Sequence, residues 1–314
     1  MKYGLLEYAT ANMGDEIQSV AAEQFLPRVD AFLQRDFLHD VRSDEDIAVV
    51  MNGWFTRHPE NWPPSSALAP LFVSFHIAEA VVEPMTTPDA IAYFREHEPI
   101  GCRDYHTRDL LAEHGVDAYF SGCLTLTLTS DVDDADRQGV YVVDGDDAVV
   151  RNLPSDHRDR AEFVTHRYDV TALERMDGVA DRLGDRTRRL LRRLRVDDAY
   201  VRMKERVWAS HADEQFAGAR DRLAKYAAAE LVVTSRLHAA LPCVAFGTPV
   251  LLVHENLDDP RFGGHLDYLS HCSVEEFVER DGEIDWADVY DVPDVREFRR
   301  DMSDTVRAFL DRVA

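Results

Sequence analysis

The chain has 314 residues, 45% of them hydrophobic, and its 59 acidic and 35 basic residues give a formal net charge of −24. This length predicts one large or two medium domains, and the lack of a basic patch with aromatic residues excludes nucleic acid as a partner. No apolar run approaches the roughly 20 residues that span a bilayer, and the first residues lack signal-peptide features, so we expect a cytoplasmic protein that is not membrane-spanning.

Strands and helices alternate through the first half of the sequence. Short apolar runs predict five strands, at residues 3–8, 47–51, 71–75, 100–102 and 118–120. Between them we predict a first helix capped by Asp15, a helix over residues 89–97 and a helix that ends near Gly115. This alternation is typical of a doubly wound α/β domain.

Several polar residues and one glycine follow these predicted strands, namely Asp15, Asn52, His76, Arg103 and Gly122. In open α/β sheets, ligands bind at the carboxyl edge of the strands. Each residue alone is compatible with an ordinary loop, but the set indicates a binding site at this edge. Gly14 permits either a close approach of the backbone to a ligand or a plain strand–turn–helix corner.

The acidic, turn-rich stretch at residues 131–138 predicts a domain boundary, which we place between residues 135 and 136. The second half again alternates, which predicts a second α/β domain. Its predicted strands are at residues 140–143, 163–165, 231–233 and 250–253, and its predicted helices are at 172–194, 211–230 and, closing the chain, 295–313.

The clearest pattern is LVVTSRLHAALPCVAFGTPVLLV at residues 231–253, which predicts strand, turn, helix, turn and strand. Ser235 stands where the helix cap is expected, and Gly247 where the helix ends. Arg236 and His238 lie in the first helical turn, where free backbone N–H groups favour a phosphate or carboxylate. Either residue alone could be structural, but both together favour an anion site.

Two features of composition complete the prediction. The cysteines, Cys102, Cys123, Cys243 and Cys272, are far apart, so we expect small buried hydrophobes and no metal or redox motif. The lysines are Lys2, Lys204 and Lys225 alone, so arginine supplies nearly all basic residues. We interpret the charge and the lysine scarcity as halophilic adaptation, although an ordinary acidic protein would account for the charge.

Short motifs along most of the chain resemble those of the polysaccharide pyruvyl transferase family. The most specific is Ser235-Arg236-Leu237-His238, with Gly247-Thr248-Pro249 behind it. The other blocks are Asn12-Met13-Gly14-Asp15 with Gln18, Met51-Asn52-Gly53-Trp54-Phe55, Phe75-His76-Ile77, Gly101-Cys102-Arg103-Asp104 and Gly122-Cys123-Leu124-Thr125. Ala11 departs from the family, which usually has glycine before the asparagine.

The resemblance implies two Rossmann-like domains in a GT-B-like arrangement, with the active site in the interdomain cleft. It places the acceptor side in residues 1–135 and the donor side in residues 136–314. It implies phosphoenolpyruvate as donor, no cofactor, and a sugar or glycan-precursor acceptor, joined as a cyclic pyruvate ketal. The residues that it implicates in donor binding are Ser235, Arg236, Leu237, His238 and Arg103.

The chemistry agrees with these residue types. Arginine binds both phosphate and carboxylate with its planar fork, so no metal is expected. Ketal formation requires a proton on the methylene carbon, and His238, if its pKa is near the ordinary value of about 6.5, can deliver it. Asp15 is the expected base for the sugar hydroxyl, and Glu16 is a weaker candidate. The remaining cleft candidates are Asn12, Gly14, Asn52, His76, Gly122 and Arg261.

Two alternatives share this fold. The first is a GT-B glycosyltransferase that uses a nucleotide sugar, for which Glu255 is the nearby carboxylate that could bind a ribose. The second is a sugar-binding relative without catalytic activity, but such a protein would not need Arg236, His238 and Arg103. The loop at residues 255–264 is either a mobile cover, with Arg261 reaching an anion, or a plain surface loop.

Overall fold

The computed structural model describes residues 1–168 and 211–314, so the predicted helix at residues 172–194 lies outside the described residues. The first half forms a parallel sheet in the order β2-β1-β3-β4-β5-β6. Its strands are β1 Lys2–Glu7, β2 Ala31–Gln34, β3 Ile47–Phe55, β4 Leu68–Ile77, β5 Ile100–Cys102 and β6 Ala118–Phe120. The sequence analysis did not predict β2, a four-residue edge strand of which Leu33 alone is buried.

The second half forms another parallel sheet, in the order β11-β10-β9-β7-β8. Its strands are β7 Val140–Val143, β8 Ala161–Val164, β9 Leu231–Thr234, β10 Val250–His254 and β11 His271–Ser273. The predicted boundary at residues 135/136 falls in the connection between the two sheets, which runs from Phe120 to Val140.

Helices flank both sheets. In the first half they are α1 Met13–Glu23, α2 Val82–Met85, α3 Pro88–Glu96 and α4 Tyr105–Glu113. In the second half they are α5 Asp147–Asn152, α6 Ser155–Arg158, α7 Ala212–Ala228, α8 Leu237–Phe246, α9 Val274–Glu279, α10 Trp286–Tyr290 and α11 Arg296–Val313. Single 3₁₀ segments are Arg35–Asp40, Pro59–Asn61, Glu79–Val81, Leu124–Thr127, Asp134–Asp136, Pro260–Phe262 and Leu266–Tyr268.

Two helix caps were predicted at the wrong residue, by three positions for α1 and by one position for α8. The cap of α1 is Asn12, whose Oδ1 accepts a hydrogen bond from the Gly14 N–H at 3.3 Å, so Asp15 lies inside the first turn. The cap of α8 is Arg236, whose side chain makes no capping hydrogen bond. Ser235 instead donates its hydroxyl to the Asp144 carbonyl at 2.8 Å. Gly247, with φ of 74°, ends α8 as predicted because this left-handed backbone favours glycine.

The two sheets share one apolar core at their base. Leu5 and Val50 of the first sheet belong to the same buried cluster as Val232 and Leu252 of the second. Helix α1 packs against α7, and α11 returns to the first half, where it contacts β3, β4 and residues 124–127. Backbone hydrogen bonds also join the halves, from the Met13 N–H to the His166 carbonyl at 3.0 Å and from the Tyr168 N–H to the Ala11 carbonyl at 2.9 Å.

The carboxyl ends of both sheets face the same cleft. Residues that follow β1 and β5 line it from one side, and residues that follow β7, β8, β9 and β10 line it from the other. The predicted α/β fold, with two Rossmann-like sheets in a GT-B-like arrangement, is therefore confirmed.

Candidate active site

The cleft between the two carboxyl edges has a volume of about 470 Å³. Among the described residues, its lining combines arginines, histidines and carboxylates with one tryptophan. These residues include Asn12, Asp15, Trp54, Arg57, Arg103, Asp144, His166, Ser235, Arg236, Leu237, His238, Glu255 and Arg261. The structure therefore brings together most of the side chains that the sequence predicted for a site, from segments more than 200 residues apart.

Four predicted cleft residues do not line the cleft, namely Asn52, His76, Gly122 and Gly14. Asn52 is inside β3 and donates its Nδ2–H to the Gln18 carbonyl at 2.9 Å. His76 is inside β4, and Gly122, with φ of 73°, lies near Tyr268 outside the cleft. Strands β3 and β4 extend beyond their predicted ends because they pair with each other through Phe55 and Ile77. Asn52 and His76 therefore belong to the sheet and not to its edge.

Gly14 does not line the cleft but supports it from behind. A Cβ atom at this position would lie 2.9 Å from Nδ1 and 3.1 Å from Cβ of His238. Such contacts require a neighbour to move, so only glycine lets the start of α1 approach the start of α8 this closely.

Arg236 is held by one carboxylate and remains partly exposed. Its Nε–H donates to Asp144 Oδ2 at 2.7 Å, and its side chain is 37% exposed. Burial alone would raise the pKa of Asp144, but hydrogen bonds from Thr165 and Arg236 outweigh burial and hold that pKa below its ordinary value. Among the described residues the terminal nitrogens of Arg236 have no partner. They are therefore available to an anion in the cleft.

Arg103 is buried and braced by its neighbours. Its Nη1–H donates to Gln18 Oε1 at 3.3 Å, and its Nε lies 3.6 Å from Asp104 Oδ2. The same Asp104 oxygen lies 2.5 Å from Nδ1 of His76. Burial and the charge of Arg103 lower the pKa of His76 against the opposing effect of Asp104. His76 thus contacts Asp104, whose Oδ2 lies next to Arg103.

His238 lines the cleft at the start of α8, and its Nε2 has no partner within residues 1–168 and 211–314. Burial, reinforced by the positive charge of Arg103, lowers the pKa of His238 well below 6.5. This direction differs from the near-ordinary pKa that the sequence analysis expected for His238. The groups that depress it include Arg103 and Arg261, which an anionic ligand would neutralise.

The opposite side of the cleft rests on a buried ion pair that the sequence did not reveal. Arg35 donates from Nη2 to Asp36 Oδ2 at 2.9 Å, and its Nη1 lies 3.9 Å from Asp15 Oδ2. The guanidinium also lies 4.9 Å from the ring centroid of Trp54. Thr10 donates its hydroxyl to Asp15 Oδ2 at 2.8 Å. These contacts fix the positions of the Asp15 carboxylate and the Trp54 ring.

Glu16, the weaker base candidate, does not line the cleft. Burial raises its pKa well above the ordinary value, and the neighbouring charge of Asp15 adds to this effect. Both carboxyl oxygens are buried without a geometrically well-formed hydrogen bond in the described part of the chain. Glu16 is thus an interior residue with a raised pKa, and Asp15 is the acidic residue that α1 presents to the cleft.

Sequence reasoning missed Asp144, His166, Trp54 and Arg57. Asp144 and His166 directly follow β7 and the predicted strand at residues 163–165, so the edge rule applied to the first sheet would have found them in the second. Trp54 and Arg57 were missed because β3 was predicted to end at residue 51.

Over residues 1–168 and 211–314, no three His, Cys, Asp or Glu side chains are grouped to hold a metal ion. In the same two ranges, every helix is too short or too polar to traverse a bilayer.

The chain is similar to known proteins in sequence and in fold. Among solved structures, a protein from Listeria monocytogenes described as a UDP-N-acetylglucosamine 2-epimerase aligns at 12% identity over 96% of this chain and 90% of its own. Its TM-score is 0.42, a likeness that says nothing about the reaction. A search of curated proteins found no match. The model of the polysaccharide pyruvyl transferase family matches residues 12–254, and the chain therefore belongs to this family of transferases.

Proposed function

We propose that the protein transfers pyruvate from phosphoenolpyruvate to a sugar of a polysaccharide or glycan precursor and forms a ketal. The observation that carries this proposal is the pairing of Arg236 with Asp144 through Nε alone, which leaves its terminal nitrogens without a partner among the described residues, beside the N-terminus of α8. Free amides at a helix start and an arginine fork together suit a phosphate or a carboxylate. Arg103 and Arg261 supply further positive charge in the same cleft.

We call Arg236, His238 and Arg261 the donor wall. In our proposal the phosphate and carboxylate of the donor bind to this wall and to Arg103. Ser235 and Leu237 shape its base, since the Ser235 hydroxyl fixes the Asp144 carbonyl and Leu237 is buried at the start of α8. Asn12 contributes the opposite rim, at the start of α1.

His238 is the proposed general acid. When the donor binds, His238 takes up a proton from solvent. It then gives this proton to the methylene carbon of the donor, which becomes the methyl group. The resulting cation at the central carbon is attacked by one sugar hydroxyl, whose proton passes to Asp15. The bond to phosphate then breaks, and a second hydroxyl closes the ketal. Phosphate leaves with one of the two hydroxyl protons, and the other replaces the proton that His238 gave.

We call Asp15, Trp54 and Arg57 the acceptor wall. A sugar ring presents C–H groups to an aromatic face and hydroxyls to a carboxylate, and this wall offers one of each beside the other. Asp15 and Trp54 share Arg35 as a support, so their separation is set before the sugar binds. Sugar recognition through Trp54 would orient a hydroxyl pair toward Asp15 and the donor.

The test is acceptor-dependent release of phosphate from phosphoenolpyruvate. Glycans from cells that lack the gene serve as acceptors, and mass spectrometry detects the added pyruvate ketal. The protein with His238→Asn is the matched control, and glycans from cells that carry the gene should give little further reaction. If wild-type protein releases no phosphate and the glycans of the two cell types have the same masses, the proposal fails.

A nucleotide-sugar glycosyltransferase is the second candidate, because Glu255 lines the cleft beside the donor wall. A carboxylate at this position could bind a ribose. Replacement of Glu255 by glutamine should leave pyruvyl transfer nearly unchanged and should abolish binding of a nucleotide sugar if that ligand is used.

A further inference from the structure

His166 is a cleft residue with a rigidly held backbone. It follows β8, lines the cleft and is 1% exposed. Its N–H donates to Asp144 Oδ2 at 3.1 Å, and its carbonyl accepts from the Met13 N–H at 3.0 Å. The same Asp144 oxygen accepts from Arg236 Nε. The His166 ring is thus fixed relative to the arginine that faces the ligand.

The hydrogen bond to Tyr226 determines the tautomer of this ring. Nδ1 of His166 lies 2.9 Å from the Tyr226 hydroxyl, and Tyr226 is 0% exposed. Among the described residues, the hydroxyl has no other hydrogen-bond partner. If Nδ1 carried the proton, the buried Tyr226 O–H would have no acceptor, which is the costlier arrangement. Tyr226 therefore donates to Nδ1, and the proton of the neutral ring lies on Nε2.

The ring stays neutral, and its Nε2–H lacks an acceptor. Burial lowers the pKa of His166 to about 3, and the positive Arg236 and Arg222 add to this effect against Asp144. Burial also raises the pKa of Tyr226 well above its ordinary value, so the hydroxyl keeps its proton. Nε2 has no partner in residues 1–168 and 211–314. A buried donor without an acceptor, on a ring that lines a cleft, indicates a ligand atom.

We propose that His166 is a fixed hydrogen-bond donor to the ligand, with its Nε2–H bound to a phosphate or carboxylate oxygen, and that Tyr226 is the positioning residue that holds this tautomer. The name of the ligand, phosphoenolpyruvate, rests on the proposed function, whereas the tautomer does not. His166 differs from His238 because protonation of its Nδ1 would leave the buried Tyr226 O–H without an acceptor. His166 therefore binds the ligand without changing its protonation state, whereas His238 can carry the reacting proton.

The first experiment uses the whole protein labelled with ¹⁵N-histidine. Long-range ¹H–¹⁵N spectra distinguish the two neutral tautomers and the charged ring, and His166→Gln identifies the signal by its loss. We expect the Nε2–H tautomer from pH 5 to pH 8, and a mixture of tautomers in Tyr226→Phe. A Nδ1–H tautomer or a charged ring in the wild type would overturn the assignment.

The second experiment measures ligand binding by calorimetry. His166→Leu removes the donor and should raise the dissociation constant of phosphoenolpyruvate about tenfold to hundredfold, the effect of losing a hydrogen bond to a charged group. His166→Gln keeps an N–H and should recover part of this loss. Equal affinity in the wild type and both variants would overturn the proposal. If His166→Leu does not fold, the test is whether phosphoenolpyruvate shifts the His166 Nε2 signal of the wild type. A shift supports the proposal, and an unchanged signal with bound ligand overturns it.

Inorganic phosphate separates this proposal from the proposed function. If phosphate shifts the His166 Nε2 signal but phosphoenolpyruvate does not bind, the donor is wrong and the role of His166 stands. If phosphoenolpyruvate binds with measurable heat while the His166 signal stays unchanged with either ligand, the donor stands and the role of His166 is refuted.

Discussion

Arg35 and Arg236 lie on opposite sides of one cleft and differ in how completely they are paired. Arg35 has a side-chain exposure of 0%, and Asp36 binds it through two of its nitrogens, at 3.2 and 2.9 Å. The rings of Tyr8 and Trp54 also lie 5.0 and 4.9 Å from its guanidinium carbon. Arg236 is 37% exposed and bonds Asp144 only through Nε.

The comparison shows that pairing decides availability. The guanidinium of Arg35 is buried beside a carboxylate and two rings and does not line the cleft, so Arg35 supports the acceptor wall from behind. A half-exposed guanidinium with one partner keeps donors for a ligand. The role of an arginine in this cleft is therefore determined by its neighbours and not by its charge.

Arg35→Met should give the largest effect, because it leaves Asp36 buried without its partner. We expect a loss of about 3–5 kcal/mol in the free energy of unfolding, measured by denaturant titration. Arg296→Met is the control, since that side chain is 84% exposed and solvent screens its pair with Asp294. Equal losses in the two variants would show that Arg35 does not support the wall.

His238→Asn tests mechanism on the donor wall. We expect turnover to fall by roughly 10²–10⁴, the usual span for a lost general acid, while the melting temperature stays close to that of the wild type. Donor affinity should fall only modestly, since Arg236 and the start of α8 remain. Near-normal turnover at saturating donor would remove His238 from the acid role.

Arg236→Lys keeps the charge of the donor wall and removes the fork. A hydrogen bond to a charged group contributes roughly 1.5–3 kcal/mol, so the dissociation constant of the donor should rise about tenfold to hundredfold. Arg160→Lys, at an exposed pair with Glu230, is the matched control and should change nothing. If the dissociation constant of the donor is unchanged in Arg236→Lys, the terminal nitrogens of Arg236 do not contact the ligand in the wild type.

The depressed pKa of His238 predicts proton uptake on donor binding. The free ring is neutral at pH 8, and the bound anion should raise its pKa by neutralising Arg103 and Arg261. Because the complex then holds more protons than the free protein, donor affinity should fall as pH rises. Calorimetry at pH 8 in buffers of different ionisation heat should detect uptake of up to about one proton, which His238→Asn abolishes. Identical heats in all buffers would contradict the acid role.

We expect salt to have the smallest effect on stability per charge. Salt screens charges on the surface far more than the buried Arg35–Asp36 pair, so it separates their contributions to stability. At molar KCl the screening length falls to about 3 Å, which weakens repulsion among the surface charges behind the net charge of −24. We expect the melting temperature, followed by circular dichroism, to rise steadily with KCl, and sucrose to be the uncharged control. A protein equally stable in dilute buffer would refute the halophilic interpretation.

The sequence predicted the parts of this molecule that depend on local pattern. The unit β9–α8–β10 was recognisable because a buried apolar run, a helical stripe and Gly247 lie within 24 residues of one another. The contacts around Arg35 were not recognisable in the sequence. The contact between Arg35 and Asp15 arises only when β1, which precedes α1, pairs with β2 in the same sheet. The misplaced Asn52 has the same cause, since the end of β3 is set by its pairing with β4.

The most direct test of the account is a comparison of phosphoenolpyruvate with UDP-sugars in thermal melts of the wild-type protein. A ligand at 100 times its dissociation constant stabilises the folded state by about 2.7 kcal/mol, which a melt resolves. We expect phosphoenolpyruvate to raise the melting temperature of the wild type more than that of Arg236→Lys, and nucleotide sugars to raise neither. Stabilisation by a nucleotide sugar alone would contradict it.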